Sequence, residues 1–409
     1  MKTLARLSIA GLVASLLTAP ATAQTFADEV AFLQKHTPVV VLTDGNGMRV
    51  AVCPALQGRV MTSSARGESG AAYGWINREV VSSSTRDPHF NAYGGEDRFW
   101  LGPEGGQYAV FFKPGDPFDL AHWYTPAAVD TEPYPVTFHA PDRVTLAKKM
   151  TLTNRAGTVF DVALRRVVRL VPRAQALKDL GLAGTEPVQA VAFESENRIT
   201  NVGTQPWRKD GGLLSIWILG MFKPSPQTTI VVPFAPGPEA SMGPIVNSAY
   251  FGKVPPERLV VGERAVFFRG DGRYRSKIGL SPVRVRPVLG SYDARDAVLT
   301  LVQFDRPADA RDYVNSMWEI QKEPFAGDVV NSYNDGPPAP GAKPLGPFYE
   351  LETSSPAAAL PAGGSLVHRH RTIHVVGDKA ALDAIARKAL GVGLDAITSA
   401  LPAATSGPN

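Results

Sequence analysis

The chain has 409 residues, with 42 Lys and Arg against 38 Asp and Glu and a formal net charge of +4. Basic and acidic residues are interspersed, with nothing longer than short clusters such as Arg284 and Arg286, so neither the basic patch of a nucleic-acid binder nor a charged tail is present. A single cysteine, Cys53, excludes an internal disulfide, while 38 Gly and 35 Pro with few long helical patterns point to many short strands joined by turns.

Lys2 and Arg6 precede an apolar run from Leu7 to Leu17, and Ala21-Thr22-Ala23 offers small residues for cleavage. This predicts a signal peptide over residues 1–23, cut near Ala23, and a periplasmic or secreted product. No cysteine follows closely enough to carry a lipid, and no later stretch has the length and apolarity of a membrane helix, so no membrane anchor is expected. Phe26, Val30 and Leu33 recur at helical spacing behind Thr25, with Asp28 three residues on, which predicts a capped helix over about 26–36. In "VVVLTDGNGMRVAVCP" two β-branched runs flank Asp44-Gly45-Asn46-Gly47, a hairpin signature, and "GRVMTSS" continues as a third strand.

The segment "YGGEDRFWLGPEGG" joins Gly-rich turns to Glu96, Arg98, Trp100 and Glu104. Charged groups that hydrogen-bond hydroxyls, beside an indole that packs on the C–H face of a pyranose, suit a sugar; an internal Arg–Glu pair pinning a turn is the competing reading. The middle of the chain repeats apolar extended runs, "TVFDVALRRVVRLV", "AVAFESENRITNVG", "LLSIWILGMF", "TTIVVPF", "RAVFFRGDGRYRSKIGLS" and "AVLTLVQFD", between Gly, Pro and Asx clusters, the spacing of a sandwich or barrel. Trp217 lies inside such a run and reads as core. Residues 317–337 gather Trp318, Asp328, Asn331, Tyr333, Asn334 and Asp335 near a Gly-Pro turn. These oxygens and amides suit sugar hydroxyls, calcium without EF-hand spacing, or a structural Asx-rich turn.

Strand alternation places Glu350 and Glu352 of "YELETSSP" on one face, where two carboxyls that share a partly dry surface raise each other's pKa and become an acid or a base; a solvated outer face with two ordinary glutamates is the competing reading. On the next strand His368, His370 and His374 share one side, with Arg369, Arg371 and Ile373 on the other; three of the chain's seven histidines fall within seven residues. An HxH pair can ligate zinc, imidazole can move protons near neutral pH, and hydrogen-bonded structural histidine is the third reading. The tail shows helical periodicity over 378–391 behind Asp378, and residues 396–409 read as a flexible tail. Residues 24–395 form a single predicted domain.

The order "GRVMTSS", "GGEDRFWLGPEGG", "ENRITNVG", "YELETSSP" and "LPAGGSLVHRHRTIHVVG" resembles the galactose mutarotase-like, or aldose 1-epimerase-like, supersandwich proteins, in a secreted bacterial branch, over most of residues 38–377. The resemblance implies an all-β fold, a large antiparallel β-supersandwich with short N-terminal and C-terminal helices, whose concave face binds carbohydrate. It also implies a late glutamate acting as the base on the anomeric hydroxyl, a position matched by Glu352 and next by Glu350. Mutarotases pair that base with a mid-chain histidine acid, and this sequence has none between His139 and His368. The expected site therefore has Glu352, Glu350, His370 and His368 as catalytic groups, and Glu96, Arg98, Trp100, Glu104, Trp318, Asn331, Tyr333, Asn334, Asp335 and His374 as sugar contacts. No cofactor is expected, with calcium and zinc kept as the metals those clusters could take; the partner is a carbohydrate, and no nucleic acid is expected. An epimerase-like or lyase-like reaction by Glu/His proton transfer is the first functional expectation, with Arg98 neutralising a uronate in the lyase version. A non-catalytic carbohydrate-binding protein using the same face is the second.

Overall fold

Apolar runs punctuated by turn residues become strands that bury one face or both, and the computed structural model, which describes residues 24–403, arranges them in three sheets whose strand pairs are all antiparallel. The largest sheet has ten strands, and its long central members are Val159–Leu170, Gln189–Asn201 and Ser365–Val376. A five-stranded sheet runs in the order Ser276–Leu280, Val330–Asn334, Tyr349–Ser354, Ser215–Phe222 and Arg98–Gly102. The hairpin at Asp44–Gly47 joins Val40–Thr43 to Arg49–Cys53, and with Arg59–Ser64 these make the third sheet. The molecule is thus an antiparallel β-sandwich with a few short helices.

The two larger sheets meet face to face. Leu289, Val302 and Phe304 of the ten-stranded sheet pack with Ile278, Val330 and Leu351 of the five-stranded one. Each such side chain, when fully buried, contributes about 1.5–3 kcal/mol. On the far face of the ten-stranded sheet, Leu299, Leu301, Ile373 and Val375 pack against Leu382, Ile385 and Leu390 of the helix Lys379–Leu390. Asp378 caps that helix and Gly391 ends it with φ 75°, a left-handed conformation natural to glycine. The N-terminal helix spans Phe26–Gln34, with the reciprocal Thr25–Asp28 capping box that the sequence predicts.

Two boundaries differ from expectation. The tail is not loose from residue 396: a further helix, Leu394–Ser399, buries Ile397, and Leu401 packs beyond it against the same sheet. The predicted signal peptide and residues 404–409 lie outside the described residues. In addition, the run from Arg264 to Ser281, which reads as one extended style, divides into Ala265–Arg269 and Ser276–Leu280, and these belong to different sheets. That crossing turns Lys277 toward the face described next.

Candidate active site

One face of the five-stranded sheet packs on the ten-stranded sheet, and the other floors a cleft. Alternation along each strand sends Arg98 and Trp100, then Trp217, Leu219 and Met221, then Glu350, Tyr333 and Lys277 into a cavity of about 120 Å³. Loops wall it with Glu104, Trp123, Phe251 and Trp318, and exposed Leu120 and Leu345 stand at its mouth. In register, Glu350 lies between Tyr333 and Met221, and Glu352 between Asn331 and Leu219, so both carboxyls rise from the central strand.

Their surroundings differ. Glu350 accepts a hydrogen bond from Arg98 Nη2 at 3.0 Å and lines the cavity. Burial is the main cause that pushes its carboxyl up to about 8; Arg98 pulls the other way and the neighbouring Glu352 adds to the rise. Glu352 is fully buried beneath the cavity floor, where its Oε2 accepts from Lys277 Nζ and from Trp217 Nε1, each at 3.0 Å, while Oε1 has no protein partner. Burial works to lower the Lys277 pKa, but Glu352, Glu104 and Glu350 together outweigh it and the net shift is upward.

Cations and rings interleave around these acids. Arg98 lies 4.0 Å over the Trp100 ring and Lys277 4.7 Å over Trp217. Arg98 is only 2 % exposed, yet its Nε and Nη1 have no acceptor within the protein. The indole nitrogen of Trp123 is likewise buried and unpartnered, while that of Trp318 faces the Glu104 carboxyl. Tyr333 donates to Asp335 Oδ1 at 2.7 Å, and the Gly346 amide donates to Asp335 Oδ2 at 2.8 Å. Burial raises the carboxyls of Glu104 and Asp335. The cavity therefore offers donors and acceptors without partners among flat apolar rings, an arrangement able to hold a ligand with polar edges and apolar faces.

Of the sequence-predicted residues, the fold brings Arg98, Trp100, Glu104, Trp318, Tyr333, Asp335 and Glu350 to this cavity, with Glu352 directly beneath. Asn331 lies on the same sheet face but is spent on Tyr250, whose hydroxyl in turn donates to Asp328. Asn334 points away and holds the Gly272 amide and the Tyr274 carbonyl. Glu96 misses the cleft because regular pairing starts only at Arg98. Before it, Gly94 and Gly95 turn the chain with φ of 94° and 105°, and Glu96 folds back to accept from Ser63 and His374.

The histidines do not reach the cavity either. They face the inside of the sandwich, where Thr353 Oγ1 lies 2.8 Å from His368 Nε2 and 2.9 Å from His370 Nδ1, and His374 bridges Thr300 and Glu96. Burial lowers His368 to about 3 and His370 to about 4, so both rings are neutral. Among the described residues no group of three or more His, Cys, Asp or Glu is arranged to hold a metal ion. Sequence reasoning missed Lys277, Arg275, Trp123 and Phe251, and assigned Trp217 to the core alone. The available signals were a lysine inside the apolar run "SKIGL" and the period-2 face shared by Trp217, Leu219 and Met221.

Sequence comparison matches residues 24–401 to a family of unknown function, DUF6786. The chain belongs to that family. No curated protein sequence matches it. Among solved structures, a Synechocystis protein is similar at 14 % identity and TM-score 0.48, over 83 % of this chain and 96 % of that one. A galactose mutarotase-like protein from Lactobacillus casei is similar at 8 % identity and TM-score 0.46, over 83 % and 100 %. A galactose mutarotase related enzyme from Lactobacillus acidophilus is similar at 9 % identity and TM-score 0.44, over 83 % and 98 %. No described helix is long and apolar enough to cross a membrane.

Proposed function

We propose that the chain is an exported carbohydrate-active enzyme that moves a proton to or from a sugar held in this cleft, with Glu350 as the group that carries it. The observation that supports this reading most directly is the Glu350 carboxyl itself, buried on the floor of an aromatic-walled cavity, hydrogen-bonded to Arg98 and raised toward neutrality. A carboxylic acid that keeps its proton near pH 7 can give it to a ring or hydroxyl oxygen, and above its pKa it can take one. Glu352 acts through others: it holds Lys277 and the Trp217 indole in place, and its charge helps keep Glu350 protonated. This reverses the order of the two glutamates expected from the resemblance, because Glu350 is the one that lines the cavity.

Both carboxyls rise from one strand face, about 6.5–7 Å apart at the backbone, but Glu352 lies beneath the floor and only Glu350 faces a ligand, so the pair cannot flank it. That supports epimerase-like or lyase-like chemistry at one carbon over hydrolysis, which needs carboxyls flanking a glycosidic bond. Wild type and Glu350→Gln are to be compared for anomeric exchange by NMR across a panel of aldoses, and for cleavage across a panel of glycans by mass spectrometry. The variant should lose about 10²–10⁴ in turnover while still binding sugar. Undiminished turnover in Glu350→Gln would remove Glu350 from the reaction, and binding by both proteins with no turnover by either would select a binding protein.

A further inference from the structure

The cations that line the cleft are not equivalent. Arg98 pairs with Glu350 at 3.0 Å, Lys277 with Glu352 at 3.0 Å and Lys343 with Glu79 at 3.6 Å. Arg275, which lines the same cavity, forms no ion pair among the described residues. It is held all the same. Its guanidinium lies 3.7 Å over the Phe251 ring, and Phe251 packs edge-on against Trp318 and Tyr333, with ring centres 6.4 and 5.9 Å apart. Held on a ring face, the guanidinium still has N–H groups that match a planar oxyanion, and its charge already acts on Tyr333, Asp335 and Glu104.

The acid that register places nearest is Asp335, since Ser276 pairs with Asn334 and Lys277 with Tyr333. Asp335 is already engaged by the Tyr333 hydroxyl and the Gly346 amide, so the Arg275 charge acts on its carboxyl without closing a direct ion pair. The arrangement across the floor is also ordered: the acids stand on the central strand, Arg98 on one outer strand, and Lys277 with Arg275 at the other. The outer backbones are about 19 Å apart at the usual strand spacing. A ring seated over Glu350 thus has an unpaired guanidinium within the same cavity on one side, and on the other Arg98, with two N–H groups lacking a protein acceptor.

We propose that the cleft takes an acidic saccharide, a sugar carrying an oxyanion substituent, and that Arg275 holds that substituent while the ring lies over Glu350. This rests on the reading of the cleft as a sugar site. Carboxylate, sulfate and phosphate share the chemistry, and matched ligands separate them. Binding is to be measured by titration calorimetry at low ionic strength for galacturonate, galactose 6-sulfate and galactose 6-phosphate against galactose, and for the corresponding glucose series. The proteins are wild type, Arg275→Gln and Arg275→Lys, each checked for an unchanged melting temperature.

In wild type at least one acidic sugar should bind about tenfold or more tightly than its neutral parent, a difference of about 1.4 kcal/mol. The preference should weaken with added salt, collapse in Arg275→Gln and return in part in Arg275→Lys; the acidic sugar that leads identifies the substituent. Neutral parents that bind as tightly as every acidic partner, or an Arg275→Gln protein that keeps the full preference, would overturn the proposal and leave the sugar reading standing. Failure of every sugar to bind would bring down both.

Discussion

The two faces of the strand Tyr349–Ser354 carry polar groups into opposite environments. Toward the cleft, Glu350 and Glu352 meet Arg98, Lys277 and the tryptophans around an open cavity. Toward the sandwich interior, Thr353 meets two buried imidazoles. Both clusters are buried, both contain titratable groups and both shift them, yet of the two only the first lines the cavity. A shifted pKa alone does not mark a site; a shifted pKa beside unpartnered donors in an accessible space does.

Substitutions can break this contrast. The largest effect is expected from removing one half of the buried ion pair. Glu352→Ala strands the Lys277 ammonium and should cost about 3–5 kcal/mol of unfolding free energy in denaturant titrations, since the two side chains are 0 % and 6 % exposed. On the other face, Thr353→Val leaves two buried ring nitrogens without their shared partner. It should cost about 1–3 kcal/mol while leaving the proposed sugar binding in the cleft unchanged, and a large loss of that binding would show that the interior cluster communicates with the site.

Stability as a function of pH sharpens the same comparison. Glu350 has its folded pKa raised to about 8 from 4.5, so the stability it contributes is full below pH 4.5 and is lost as pH rises through about 8. His368 and His370 are depressed from 6.5 to about 3 and about 4, so their contribution is present above pH 6.5 and is lost as pH falls toward those values. Melting curves from pH 4 to 9 should show Glu350→Gln flattening the alkaline decline and His370→Gln softening the acid one. The smallest effect is expected outside both clusters. Arg369 pairs with Glu196 and Asp305 on the solvent side of the ten-stranded sheet at 43 % exposure, and Arg369→Ala should change stability by less than about 1 kcal/mol.

Much of the architecture was legible because period-2 alternation and turn residues are local signals. They identified the hairpin at Asp44–Gly47, the shared face of Glu350 and Glu352, and the split of histidines from arginines along Ser365–Val376. What escaped was set by pairing between distant strands. Nothing near His368 or His370 says that their face turns inward onto Thr353, and nothing near Lys277 says that it ends beneath the carboxylate strand. Glu96 failed for a different reason: its two preceding glycines break the alternation that would otherwise have grouped it with Arg98 and Trp100.

The aromatic walls carry one practical consequence. Four of the chain's six tryptophans, Trp100, Trp123, Trp217 and Trp318, line the same cavity. Intrinsic fluorescence is therefore dominated by the cleft, and an arriving solute that displaces water from those indoles should alter emission intensity and wavelength. The protein carries its own optical gauge of occupancy, one that works without an attached dye.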